Sequence, residues 1–420
     1  MPTVHPDGAE AAEAAVHDLL FTEEGRQNPY PLYHRLRDVA PVHRSEMLRG
    51  MWLLTRYEDC HAVVRDPAVP KRFAESLDGI SSSWRNHSST VGVSRMMLMV
   101  DPPLHTRLRR RVARSFTPRR VEALRHSIVA MVGELLDGFE RDGGGDVVER
   151  IAFTLPVQVI GELLGVPHDD LGWFRDPMLA LTQCLELATT REQRADADAA
   201  YEQAAPYFAD LIAARRSTPA DDLLSALAAD DGDDPLDDAE LVDMALLLFV
   251  AGFETTSNLI ANAVAAFAAH PDQWELLRTS PGLVEGLATE LLRYDTSIQF
   301  ISRLAVDDVV VGGETIPAGA PILAVAGAAN RDPEVYADPD RLDPRRTGAR
   351  PLSFGAGIHH CLGAALATAE IEVLFGEMAR RYPRLELTGP VEYRSRVLFR
   401  GPESLEMRVG PTVTADRRAG

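Results

Sequence analysis

Cys361 stands in the stretch Phe354-Gly355-Ala356-Gly357-Ile358-His359-His360-Cys361-Leu362-Gly363, just before a helical run from Ala364. Two closely spaced glycines let a loop fold back tightly and bring backbone near a bulky planar ligand. The N-terminus of the following helix offers donors and positive potential that keep a thiolate ionised. Phe354 can shield the sulfur, and His359 can reach an acidic ligand edge. A shielded, single, loop-borne thiolate suits axial ligation of haem iron. Three other readings compete. A lone cysteine is usually a small buried apolar residue. Zinc is disfavoured because His359, His360 and Cys361 are consecutive and cannot all converge on one metal. A nucleotide loop needs a preceding strand and a third glycine at fixed spacing, where His360 and Cys361 intrude.

A second constellation, Phe249-Val250-Ala251-Gly252-Phe253-Glu254-Thr255-Thr256, lies mid-way along a long helical pattern. Glycine inside a helix costs about 1 kcal/mol relative to alanine and needs a reason. Small Ala251 and Gly252 open a groove for a diatomic ligand, and a threonine can bond the backbone one turn earlier and bend the helix. Glu254 and Thr255 offer a carboxylate and a hydroxyl that could relay protons; a packing kink with a surface glutamate is the alternative. Third, Glu290 and Arg293 sit at i and i+3 on one helical face, with Arg341 of Asp338-Pro339-Asp340-Arg341 as a candidate third partner. Fourth, His105 and Arg109 are one helical turn apart and could grip a ligand carboxylate, with Arg303 and His359 holding another. Each of these alone reads as a surface charge.

Taken in this order, the motifs resemble the soluble bacterial class of cytochrome P-450, over nearly the whole chain after its first residues. The resemblance implies a mainly α fold with small β-sheets (α+β), with haem between the long central helix and the cysteine-loop helix. It implies that Cys361 ligates the iron of haem b, with Phe354 and Gly363 beside it, and that His105, Arg109, Arg303 and His359 bind the propionates. Glu254 and Thr255 would deliver protons, and Glu290, Arg293 and Arg341 would form a structural triad. Two departures are mild: Leu104 stands where an acid is common, and Leu342 where phenylalanine is usual. The implied activity is a monooxygenase reaction. One oxygen atom of O2 enters a sizeable apolar substrate, such as a polyketide or peptide intermediate, free or carrier-protein-bound. Electrons would come from NAD(P)H through a separate ferredoxin and ferredoxin reductase, since one haem domain uses up the length. The implied pocket comprises Met97, Leu98, Met178, Leu181, Thr182, Leu247, Leu248, Ala251, Ile298, Gln299, Ile301, Val397 and Leu398. Alternatives on the same fold are a peroxygenase or decarboxylase, which typically lacks the acid–threonine pair, and a non-catalytic recruitment module, which would lack the cysteine.

The elements that must carry these residues follow from pattern. The 420 residues are 45% hydrophobic, enough for a large core. Three separated cysteines, Cys60, Cys184 and Cys361, suggest no disulfide framework, and residues 1–20 show no signal peptide. A formal net charge of -20 argues against nucleic-acid binding. No membrane anchor is expected, and the reading is a cytoplasmic monomer. Residues 1–27 read as a tail or loosely docked arm, 28–410 as one haem domain and 411–420 as a C-terminal tail. Residues 75–97, rich in Ser, Gly and Asn, read as a long loop. Helices are expected over 105–116, 118–139, 155–164, 168–187, 195–216, from a cap at Asp237 or Asp238 to Ala269, over 281–294, and, after Cys361, from Ala364 to about Arg381. Strands are expected at 302–306, 309–311 and 321–326. An arginine cluster (Arg107, Arg109, Arg110, Arg111, Arg114, Arg119, Arg120) could steer an acidic ferredoxin.

Overall fold

The computed structural model describes residues 6–114, 116, 118–229 and 234–409. The tail read at 411–420, most of the acidic turn at 230–234 and the Arg119 side chain lie outside the described residues.

The helices that matter for the site are α1 (Pro6–Phe21), α2 (Tyr30–Val39), α3 (Ser88–Arg95), α4 (Leu104–Ala113), α5 (Thr154–Leu164), α6 (Arg191–Ser217), α7 (Asp238–Ala269), α8 (Leu287–Tyr294) and α9 (Ala364–Arg381). The main sheet has strands β1 (Val42–Ser45), β2 (Met51–Leu54), β3 (Phe300–Leu304) and β4 (Pro321–Val325), in the order β1-β2-β4-β3. Strand β2 runs parallel to β4 with Leu53 opposite Leu323, and β3 runs antiparallel to β4 with Arg303 opposite Ile322.

Helix α7 threads the core. Asp237 caps it reciprocally with Glu240, a capping box that fixes where the helix starts. By length and composition α7 could cross a membrane, but most of it is buried within the fold, packed against α5 and α6.

Residues 6–27 are not a loose arm. Ala12, Val16, Leu19 and Leu20 form an apolar stripe on α1 that is buried with Tyr33, Leu36, Phe300, Leu323 and Val325. Glu13 accepts hydrogen bonds from His43 Nε2 at 2.8 Å and Glu46 N at 3.0 Å, tying α1 to the β1–β2 hairpin. Nor is 75–97 a bare loop. It holds most of the helix Phe73–Ile80, a 3-10 turn and α3. Tertiary contacts supply what periodicity lacks. Asp198 of α6 accepts from Ser89 N at 3.0 Å and Ser89 Oγ at 2.6 Å, and Gly92 lies under the Tyr201 ring, where a Cβ would come within 2.2 Å.

The expected helix 168–187 is broken into a 3-10 segment, the helix Arg175–Leu181 and a second 3-10 turn. Pro177 accounts for the break upstream, because its ring excludes the carbonyl one turn earlier. Strand β3 starts two residues earlier than expected, and an unforeseen strand, Glu314–Ile316, pairs with Val309–Val311 across a Gly312-Gly313 turn with positive φ at both glycines.

Candidate active site

The cysteine loop is built by its backbone. Cys361 N donates to Phe354 O at 2.8 Å, and Gly355 N to Leu352 O at 2.7 Å. Gly355 and Gly357 take φ of 65° and 67°, a region that penalises any side chain. Gly357 also lies against the next layer, where a Cβ would be 3.1 Å from Arg65 O. Asn330 clamps the loop from behind: Leu352 N donates to its Oδ1 at 2.7 Å, and its Nδ2 donates to Ser353 Oγ at 2.9 Å. Ser353 Oγ in turn donates to Leu292 O of α8 at 2.7 Å. Burial pushes the Cys361 thiol up, while the Gly363 N–H and Arg109 pull it down. Cys60 is buried and its thiol donates to Leu54 O, an inert core role. Among the described residues no three His, Cys, Asp or Glu side chains are placed so that they could hold a metal ion.

Four predicted donors gather at one edge of this loop. His105 is 2% exposed, and its ring centroid lies 4.3 Å from that of His359. His105 Nδ1 and His359 Nε2 are both buried without a hydrogen-bond partner among the described residues. Arg109 Nη2 donates to His360 O at 2.7 Å, and Arg303 is buried, donating to Ser302 O and Val64 O. Lys71, which the sequence reading missed, joins them electrostatically. Burial first, then Arg303, pull its ammonium down to about 7. His105 is pulled down to about 4 by burial, then by His359 and Arg109, and Arg303 is pulled down to about 10 by burial.

Asp101 is the carboxylate among them, 3.7 Å from His359 Nε2. Burial would raise it, but His359 and the N–H groups of Arg72 and Lys71 outweigh that and hold it at about 2. Buried cations in excess over one acid, with imidazole nitrogens unpartnered, are costly unless an anion completes them. The residues present therefore fit a ligand with two carboxylates lying over a thiolate. His105, Arg109, Arg303, His359 and Lys71 would hold the propionates and Cys361 the iron of haem, which would supply dioxygen activation.

Helix α7 presents exposed Ala251 and half-buried Thr255, whose hydroxyl donates to Ala251 O at 2.8 Å. Gly252 has a different reason from the expected groove. It meets Ile160 of α5, where a Cβ would lie 2.9 Å from the side chain. Glu254 is 1% exposed and accepts from Arg396 Nη1 at 2.7 Å. Its Oε2 has no partner among the described residues. Burial pushes the Glu254 carboxyl up, while Arg396, the Thr182 hydroxyl and Arg394 act against it. Glu254 and Thr255 are thus adjacent but engaged with different neighbours.

The triad needs a correction. Glu290 and Arg293 are buried and pair twice, Nε to Oε2 at 2.7 Å and Nη2 to Oε1 at 2.9 Å. The third partner is Arg346, whose Nε lies 3.2 Å from Glu290 Oε2. Arg341 contributes only its backbone carbonyl, which accepts from Arg293 Nη2 at 3.0 Å, and its side chain is exposed.

The predicted pocket residues divide. Leu98, Ile298, Ile301, Val397 and Leu398 keep exposed surface, as Ala251 does, and Met97, Leu247 and Leu248 retain a little. Met178, Leu181 and Thr182 are buried in packing, and Gln299 is committed to structure, accepting from Tyr33 OH at 2.8 Å and donating to Thr296 O at 2.6 Å.

The family model for cytochrome P450 matches residues 283–392, which span the Glu290–Arg293 pair and the cysteine loop. A vitamin D(3) 25-hydroxylase of Pseudonocardia autotrophica is 40% identical over 402 residues, covering 94% of this chain and 97% of that protein. The chain belongs to the cytochrome P450 family. Among other P450 relatives, the polyketide biosynthesis cytochrome P450 PksS of Bacillus subtilis is 36% identical over 92% of this chain and 98% of its own. The crystal structure of P450BioI, in complex with an acyl carrier protein ligated to hexadec-9Z-enoic acid, superposes with a TM-score of 0.86 at 33% identity, covering 92% of this chain and 99% of that one. The P450 reading of fold and class therefore holds, and the protein is an oxidoreductase of the monooxygenase type.

Proposed function

We propose that this P450 inserts one oxygen atom of O2 into a sizeable, largely apolar natural product of polyketide or peptide type, either free or carried on a carrier protein. The observation that carries this reading is that Ala251 and Thr255 of α7 and the apolar Leu98, Ile298, Ile301, Val397 and Leu398 all keep accessible surface. Such side chains, with few polar anchors among them, hold a ligand by burial of apolar surface. The names of the relatives, which mention vitamin D(3) and polyketide biosynthesis, support the same class.

On this reading Thr255 would hold a proton at its hydroxyl, Glu254 would be the acid next to it in the proton route, and the apolar side chains would exclude water. Helix α7 carries no arginine to grip a substrate carboxylate, which speaks against the peroxygenase or decarboxylase alternative.

Electrons from NAD(P)H would arrive through a ferredoxin reductase and ferredoxin. The outer side of the cysteine loop offers a concavity of about 640 Å³ whose lining includes Arg65, Arg125, Arg350 and His360. Arg110 and Arg114 are exposed, whereas Arg107 is taken by Glu240 and Arg120 by Asp221. The protein would work as a cytoplasmic monomer. The test is a spectral-shift screen of macrolactones, peptides and their carrier-bound forms, followed by product analysis with a reconstituted ferredoxin system. A hit that shifts the haem spectrum and gains one oxygen atom meets the expectation. Saturable binding confined to short carboxylic acids would overturn it.

A further inference from the structure

One carboxylate interrupts the otherwise apolar stretch Leu241–Leu248 of α7. Asp243 is 5% exposed and takes no part in the haem cradle or the acid–threonine pair. A buried carboxylate is costly unless it is paired and hydrogen-bonded, and Asp243 is both. Arg95, the last residue of α3, donates from Nε to Oδ2 at 2.9 Å and from Nη2 to Oδ1 at 3.3 Å. Tyr201 of α6 donates its hydroxyl to Oδ1 at 3.2 Å, and Arg95 Nη2 donates to that same hydroxyl at 3.1 Å. Side chains from three helices therefore close a triangle of hydrogen bonds. The Tyr201 ring also covers Gly92, so one side chain meets α3 both at its middle and at its end.

We propose that Asp243 is a positioning residue for ligand size: by fixing Arg95 it sets how far the Met97–Leu98 turn stands from α7, and so how bulky a ligand the pocket admits. The inference rests on the reading of Met97, Leu98, Leu247 and Ala251 as pocket residues. Both sides of the ion pair lead to that pocket. On α7, Asp243, Leu247 and Ala251 recur every four residues and share one face. On the other side, Arg95 runs directly into a tight turn, with Met96 N donating to Val93 O at 3.1 Å and Met99 N to Met96 O at 2.8 Å. Val93, Met96, Met97 and Met99 are buried, so the turn follows the end of α3 as one unit. Leu98, which keeps accessible surface, is carried with it. The forked contact of Arg95 with the carboxylate fixes direction as well as distance, and a change at the triangle reaches Leu98 on one side and Leu247 on the other.

The test uses the ferric holoenzyme and two probes that bind through an imidazole nitrogen: imidazole itself, and clotrimazole, which carries a bulky triaryl group. Their dissociation constants are read from the shift of the Soret band. Asp243→Asn keeps the shape and loses the charge, and should move the ratio of the two constants in favour of clotrimazole by about threefold or more. Arg95→Gln alters the half-exposed partner, should act in the same direction, and carries the test if Asp243→Asn does not fold. The double variant should add nothing beyond the larger single effect. Arg95→Lys, which keeps the charge and loses the fork, should fall between wild type and Arg95→Gln. A purely structural role lowers thermal stability and leaves the ratio alone. Leu98→Trp checks the pocket itself, and should weaken clotrimazole while sparing imidazole. If Leu98→Trp does so but the Asp243 and Arg95 variants move the ratio by less than about threefold, or against clotrimazole, the positioning role is overturned alone. If Leu98→Trp changes neither probe, the pocket reading fails and this inference with it.

Discussion

Replacing Arg346 should damage the protein far more than replacing Arg341, although both lie in the same Asp-, Pro- and Arg-rich loop. Glu290 and Arg293 are 3% and 1% exposed. Arg293 also donates to Asn330 O at 3.2 Å and Pro339 O at 2.6 Å. Glu290→Gln would leave that guanidinium buried against neutral oxygens only, at a cost of about 3–5 kcal/mol. Arg346 gives Glu290 a second cation and donates to Ala337 O at 2.6 Å and to Asp338 O and Arg341 O at 3.1 Å. Its side chain is 15% exposed, so water replaces part of what is lost, and Arg346→Ala should cost about 1–3 kcal/mol. Arg341→Ala keeps the backbone carbonyl that Arg293 uses and should cost under about 0.5 kcal/mol. Urea unfolding of holoprotein at fixed protein and haem concentration, followed by circular dichroism and the Soret band, reads these differences if the two transitions coincide. A double variant of Glu290 and Arg346 should show coupling of about 0.5–3 kcal/mol. The reasoning fails if Arg341→Ala costs as much as Arg346→Ala, or if Glu290→Gln costs under about 1 kcal/mol.

Cys361→Ser should abolish both product formation and the thiolate-type Soret band of the ferrous–CO form; survival of that band would move the iron ligand elsewhere. Thr255→Ala should divert reducing equivalents to peroxide and lower product per NAD(P)H by about tenfold or more, whereas an unchanged ratio would make Thr255 a packing residue. First-electron transfer from an acidic ferredoxin should slow steeply as salt is added and slow further on charge reversal at exposed Arg110 and Arg114, with substrate binding unaltered. Stopped-flow rates indifferent to both would place docking on another surface.

Local chemistry made much of this molecule legible. The cysteine loop depends on glycines whose φ values only glycine takes cheaply, so it is written in consecutive residues, as is the Asp237–Glu240 cap of α7. His105, Arg109 and His359 sit in recognisable motifs, Arg303 was named with them as a further donor, and the four do gather at one edge of the loop. Lys71 has no such motif and reaches the cradle only through a turn fixed by Asp101. The Asp338-Pro339-Asp340-Arg341 segment points to Arg341, and nothing in the spacing marks Arg346 of the same loop as the arginine that turns inward. Helix α3 escaped because serine, threonine and glycine carry no apolar period; Asp198 and Tyr201, about a hundred residues away, hold it. The stripe on α1 was visible in Ala12, Val16, Leu19 and Leu20, but its polar neighbours masked it.

The pairing of β2 with β4 has a consequence for how the chain is made. Leu53 and Leu323 are register partners, so about 270 residues separate the two halves of that ladder. At about 5–20 residues per second on the ribosome, β2 waits roughly 14–54 s for its neighbour to be synthesised. Helix α1 waits as long, since Leu323 and Val325 are part of its cover. During that interval an apolar helix face and an unpaired strand edge are open to solvent, the kind of surface that chaperones bind and that aggregates when expression outruns them. Yield from a heterologous host should therefore depend on translation speed and temperature more than on the stability of the finished fold.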